Sequence, residues 1–164
     1  MLPFQGASQT FRQTPAGAAM TDDVQAIKNL VYSYAELLDA GDLDGIGAMF
    51  ERAEVRMSES DYEIRGSDAM RSLIADTVQL YDGIPRTKHV ITNVIVEIDA
   101  DGCTATARSY YTALQEHPDL PLQPILAGRW HDRLEKRDGQ WLIVDRVIFN
   151  DLAGNVSRHL KGAQ

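Results

Sequence analysis

Apolar residues in the first half of the chain recur every three or four positions; in the second half they fall in alternating, β-branched runs. Val24, Ile27, Leu30, Val31, Tyr34, Leu37 and Leu38 keep the helical spacing and predict one long amphipathic helix. Thr21 suits its N-cap, with Asp22 and Asp23 in the first turn where the helix dipole favours anions, and Ala40-Gly41 ends it. Asp42 suits the cap of a second, short helix carrying Leu43, Ile46, Met49 and Phe50. Two short strands are expected over 54–57 and 62–65, and Ser67-Asp68 opens a third helix with Met70, Leu73, Ile74 and Val78 inward.

Pro85 closes the helical half. Strands are expected over 88–98, 104–115, 126–136 and 141–151, with hairpin turns at Asp101-Gly102 and Asp138-Gly139, where Gly tolerates positive φ. Residues 117–124 carry prolines and are read as a loop near a pocket mouth. Helices first and a long antiparallel sheet afterwards define an α+β fold, with three N-terminal helices packed on a curved, mainly antiparallel sheet. Residues 20–152 form the expected single domain. Residues 1–19 are expected as a disordered tail with Met20 as the natural start, and 153–164 as a C-terminal tail.

Composition narrows the class. A hydrophobic content of 44% supports a real core in 164 residues, and the formal charge of −8 argues against a nucleic-acid partner. The single cysteine, Cys103, rules out an intrachain disulfide and a cysteine metal cluster and fits a reducing, cytoplasmic setting. No apolar run is long enough to span a bilayer. Asp42, Asp44, Gly45 and Glu51 fall at calcium-loop spacing, but Ala40 stands where the first carboxylate is required. His131 and Asp132 are adjacent on a strand and point to opposite faces, so they cannot chelate together. No dinucleotide, Walker or nucleophile-elbow motif is present, and no cofactor is expected.

Three stretches, IKNLVYSYAELLDAGDLDGIGAMF over 27–50, KHVITNVIVE over 88–97 and GRWHDRLEKRDGQWLIVDR over 128–146, resemble the SnoaL-like branch of the nuclear transport factor 2-like superfamily. With the element order, the resemblance covers roughly 21–152. It is nearest in look to scytalone dehydratase, bile-acid 7α-dehydratase and hexachlorocyclohexane dehydrochlorinase. The resemblance implies a cone-shaped α+β barrel around a small-molecule pocket and a homo-oligomer, trimer in preference to dimer. It also implies an Asp at the end of the first helix partnered with a His at the start of the first long strand, here Asp39 and His89, assisted by Tyr34 and Arg146. The dehydrochlorinase's helix lysine has no match, because Tyr34 occupies its place, and the second histidine of scytalone dehydratase has no counterpart.

The residues carry this reading unevenly. His89, on a strand rich in Val and Ile, is chemically suited to take a proton. Asp39 lies 140° around the helix from Tyr34, which a regular helix would point to solvent. Arg146 interrupts the apolar run of Leu142, Val144 and Ile148, so it needs a wet cavity or an ion pair, with Glu97 or Asp132 the available acids. Tyr34 offers a phenol proton or a structural hydrogen bond. Trp130, Asn93 (on the face of His89 and Ile91 by strict alternation) and Phe50 are the candidates for substrate-binding walls. The expected activity is a cofactor-independent lyase of dehydratase or dehydrohalogenase type acting on a cyclic, largely apolar small molecule. Alternatives are an isomerase or polyketide cyclase using the same pair, and a non-catalytic ligand carrier or small subunit of a ring-hydroxylating dioxygenase.

Overall fold

The computed structural model describes residues 16–163, and of residues 16–21 the backbone alone. The elements run α1 (Ala16–Ala40), α2 (Leu43–Met49), β1 (Glu54–Met57), β2 (Glu63–Arg65), α3 (Gly66–Thr77), β3 (Thr87–Ile98), β4 (Thr104–His117), β5 (Leu120–Arg137) and β6 (Gln140–Ala153). The strands form one sheet in the order β2-β1-β6-β5-β4-β3, antiparallel except where β1 runs parallel to β6. The α+β class and its three-helix, mainly antiparallel layout are as the hydrophobic pattern predicts. Helix α1 begins upstream of Thr21, which is therefore not its cap. Of the expected N-terminal tail, residues 1–15 lie outside the described residues.

The core fills the space between helices and sheet. Ile27, Val31 and Tyr34 of α1, Ile46 of α2 and Met70 of α3 meet Ala105, Ala107, Tyr111, Trp130, Leu134 and Ile143 from the sheet. The end of α1 is a Schellman arrangement: the Asp42 amide donates to the Leu37 carbonyl and the Gly41 amide to Leu38, both at 3.0 Å. Asp42 then caps α2 through Oδ1, which accepts from the Gly45 amide at 2.8 Å.

Two departures from the predicted elements affect the site. Residues 117–124 are not a loop: β4 continues to His117 and β5 starts at Leu120. Pro121 and Pro124 are tolerated because β6 pairs with β5 only from Leu126 onward, leaving one side of this stretch as an edge. The residues after β6 are not a trailing tail. The Gln79 amide donates to the His159 carbonyl at 2.7 Å and the Lys161 amide to Thr77 at 2.8 Å, so residues 154–163 form a strap stitched to the end of α3. Among the described residues no helix is long and apolar enough to cross a membrane.

Candidate active site

Between α1, α3, the inner face of the sheet and the strap lies a cavity of about 350 Å³. Its wall is mostly apolar, with Leu38, Met70, Leu73, Ile74, Leu126 and Ile148, and a few polar groups converge on it: Tyr34, Thr87, His89, Tyr111, Asn150 and His159. A hollow of this size with sparse, directed polar groups suits a small ring compound.

At one end sit Asp39 and His89. Asp39 Oδ1 is 2.7 Å from His89 Nδ1 and accepts from Thr87 Oγ1 at 2.8 Å, while Oδ2 accepts from the His89 amide at 2.9 Å. Both side chains are 8% exposed. Because the carboxylate can only accept, Nδ1 carries the proton and Nε2 keeps the lone pair. Burial alone would raise the Asp39 carboxyl, but the hydrogen bonds from His89 and Thr87 outweigh it and hold the group below its usual value. They also supply the donors that the negative helix end denies.

Asp39 does not point to solvent, as its angle from Tyr34 suggests, but is 9% exposed. Ile27, Val31 and Ala35 are all buried at four-residue steps, and Asp39 is the next step in that row. Each step advances 40° around the axis, so the buried stripe drifts until it reaches Asp39 as β3 closes over the helix end. The small Ala35 was the signal for this drift.

Tyr34 and Trp130 line the cavity, their rings edge to face at 5.0 Å. Burial pushes the Tyr34 phenol up, with Arg146 partly opposing. Arg146 itself is a correction. It lies beneath the cavity wall, fully buried, bound through Nε and Nη2 to Asp132 at 2.6 and 2.7 Å. Its guanidinium carbon sits 4.4 Å from the Tyr34 ring centre, 4.6 Å from Trp130 and 5.2 Å from Phe50. Burial would depress it, but the Asp132 carboxylate keeps it charged. A bulge explains the placement: Leu134 pairs with Ile143 but Arg133 with Asp145, leaving Val144 extra. The alternation therefore slips, and Arg146 turns inward opposite its registered partner Asp132.

Phe50 and Asn93 are also corrections, for neither lines the cavity. Phe50 is core, fully buried, with its ring 5.2 Å from Tyr34. Asn93 falls in a bulge of β3 between Thr92 and Ile95, with φ +53°, and is exposed because the irregularity breaks its alternation with His89.

Four groups on the wall went unread in the sequence. Thr87 precedes His89 by one strand period. Tyr111 follows Ala105, Ala107 and Ser109 on the inner face of β4, and Asn150 follows Ile148 on β6; alternation alone could have found both. Tyr111 Oη donates to Asn150 Oδ1 at 2.6 Å, and burial pushes its phenol up. His159, on the strap, had no periodic signal at all.

The three helices packed on a single six-stranded, mainly antiparallel sheet, with the hollow between them, are the nuclear transport factor 2-like, or cystatin-like, fold. The chain belongs to the SnoaL-like domain family, whose model matches residues 19–147. No curated protein matches the sequence. Among solved structures, a Mycobacterium tuberculosis protein of unknown function, Rv3472, is 26% identical, with a TM-score of 0.70 over 87% of this chain and 84% of that one. A candidate scytalone dehydratase from Novosphingobium aromaticivorans is 22% identical, with a TM-score of 0.68 over 85% and 91%. The beta subunit of a candidate aromatic-ring-hydroxylating dioxygenase from the same organism is 14% identical, with a TM-score of 0.65 over 82% and 93%.

Proposed function

We propose that the protein is a cofactor-independent lyase that removes a proton and a leaving group from adjacent carbons of a cyclic, largely apolar small molecule. The observation that carries this reading is the 2.7 Å contact between His89 and Asp39 at the wall of an apolar cavity. His89 Nε2 takes the proton from a carbon next to an activating group. The C–H electron pair becomes the new double bond, and the leaving group departs with its own pair. Asp39 fixes the imidazole tautomer and stabilises the imidazolium that forms. General-base catalysis is worth about 10²- to 10⁴-fold, and preorganised donors in a mostly apolar cavity supply the remainder. Tyr34 is the donor to the departing or enolising oxygen; Arg146 acts only through Tyr34, by holding its ring.

An isomerase would use the same base and return the proton elsewhere on the ring. The rival without catalysis, a ligand carrier or dioxygenase subunit, is supported by the fold likeness alone, and it leaves the three-donor clasp of Asp39 on His89 without a purpose. A homotrimer is proposed for the assembly, in a cytoplasmic setting that suits the free, exposed Cys103.

The test is turnover of a panel of hydroxylated and halogenated ring compounds, followed by absorbance of the new double bond. On any compound turned over, His89→Ala is expected to lose at least ~100-fold in kcat and Asp39→Asn a comparable amount. Unchanged turnover in Asp39→Asn removes the carboxylate from the mechanism, and unchanged turnover in His89→Ala ends the proposal.

A further inference from the structure

A second histidine shares this cavity. His159 is 7% exposed, lines the wall together with His89, and is carried by the strap rather than by a helix or the sheet. Its backbone is fully engaged: the carbonyl accepts from the Gln79 amide at 2.7 Å and the amide donates to Val156 at 2.9 Å. Neighbours on both sides are pinned as well. The Arg158 carbonyl accepts from Tyr81 Oη and from Gln115 Nε2, each at 2.9 Å, and the Lys161 amide donates to Thr77. The imidazole is thus held against the cavity by its backbone, with no hydrogen-bond partner for either ring nitrogen among the described residues; Nδ1 is fully buried, which leaves Nε2 as the nitrogen open to the cavity.

Polar groups buried without partners are rare in folded proteins because they lose water and gain nothing. An apolar residue at 159 would close the cavity at no such cost. Burial, and then the neighbouring His89, press the His159 imidazole down to a pKa of about 4. It is therefore neutral across the physiological range: one ring nitrogen a donor and the other an acceptor, neither a proton carrier. Such a group recognises oxygen. A hydroxyl or carbonyl can pair with it, whereas carbon-bound chlorine or a bare hydrocarbon offers it almost nothing.

We propose that His159 is a substrate-contacting residue that hydrogen-bonds an oxygen of the ring compound held between it and His89, making oxygenated rings, rather than halogenated ones, the substrate class of this cavity. The inference rests on the reading above only in placing a small ring compound in the cavity. It divides the candidate chemistries, since loss of water or migration of a double bond beside a carbonyl needs such an oxygen and loss of hydrogen chloride does not. In the reaction, His159 stays neutral and steadies the oxygen, while His89 takes the proton.

The experiment is equilibrium binding to the full chain of four matched probes: phenylcyclohexane, its 4-chloro analogue (4-chlorocyclohexylbenzene), 4-phenylcyclohexanol and 4-phenylcyclohexanone. Ligand-observed NMR or Trp130 fluorescence gives the Kd, with thermal melts confirming that each variant is folded. Wild type is expected to bind the alcohol or the ketone at least about tenfold more tightly than the hydrocarbon and the chloride, the size of one added hydrogen bond. His159→Leu is expected to erase that preference without weakening the hydrocarbon, and His159→Gln, which keeps a donor and an acceptor, to restore most of it. Equal loss for all four probes in His159→Leu would reduce the residue to packing and overturn the proposal. So would a wild type that shows no preference for oxygen or binds neither oxygenated probe. Because binding is read without turnover, a failed His89 assay leaves this result standing, and a failed His159 result leaves the His89 assay intact.

Discussion

Arg146 and Asp132 form a buried ion pair with two hydrogen bonds, enclosed by Tyr34, Phe50 and Trp130. Removing one charge strands the other in an apolar cage, whereas removing both leaves only a packing problem. Asp132→Asn is therefore expected to destabilise the protein by about 3–5 kcal/mol in urea unfolding, and the double variant Asp132→Leu/Arg146→Met by far less. Equal cost for the single and the double change would show that the pair itself contributes net stability. Acidity is written into two other residues. His159 is depressed to about 4 from 6.5, so the unfolded chain binds a proton that the folded one refuses. Its contribution is fully present above about pH 6.5 and is lost as pH falls toward 4, roughly 3 kcal/mol in all. Asp39 is held below its usual value, so its share is present above that value and is lost at still lower pH. Unfolding free energy should fall on acidification from pH 6.5 in wild type and stay flatter between pH 6.5 and 4 in His159→Leu. Parallel curves would mean that His159 titrates normally.

At the scale of elements, the site depends on where α1 stops. Gly41 closes the helix with φ +69°, and a Cβ there would meet the Gly83 carbonyl oxygen at 2.0 Å. The Gly41→Ala variant combines left-handed strain with a backbone collision, and a loss of about 2–4 kcal/mol is expected from urea midpoints. Because Asp39 lies in the same turn, ligand affinity should fall as well. The bulges matter equally. One in β6 turned Arg146 inward and one in β3 turned Asn93 out, although simple alternation along each strand gives no hint of either. A bulge inserts one residue and reverses every later assignment on that strand, and its position is set by the curvature that the packed sheet needs. Tyr111 was legible by the same alternation, because β4 keeps its register with β5 from Ala105 to Tyr111; Asn150 sits where the β5–β6 register shifts, between Phe149 and Leu152, and keeps the two-residue step from Ile148 all the same.

On the outer face of the sheet, Val90 pairs with Thr112, Thr112 with Ala127, and Ala127 with Leu152, and the next row runs from Thr92 through Tyr110 to Arg129. Val90, Tyr110 and Leu152 are 47%, 51% and 70% exposed, so large apolar side chains from three strands stand on this face among threonines and Arg129. Exposed apolar groups of that kind mark association surfaces. Sedimentation equilibrium is expected to give three times the chain mass, and Val90→Asp with Leu152→Asp to give the monomer. A monomeric wild type would refute the trimer.

By itself the sequence determined the α+β class, the number and order of the elements, the hairpin turns at Asp101-Gly102 and Asp138-Gly139 and the presence of a histidine at the head of the first long strand. These follow from local periodicity and turn chemistry, which each segment carries without reference to the others. Tertiary structure alone decided which polar groups meet: the clasp of Asp39 on His89, the diversion of Arg146 to Asp132, and the return of the C-terminal strap that brings His159 to the cavity. Each of these depends on how far a stripe drifts, where a strand bulges or which backbone groups a loop finds, and those are properties of the packed whole.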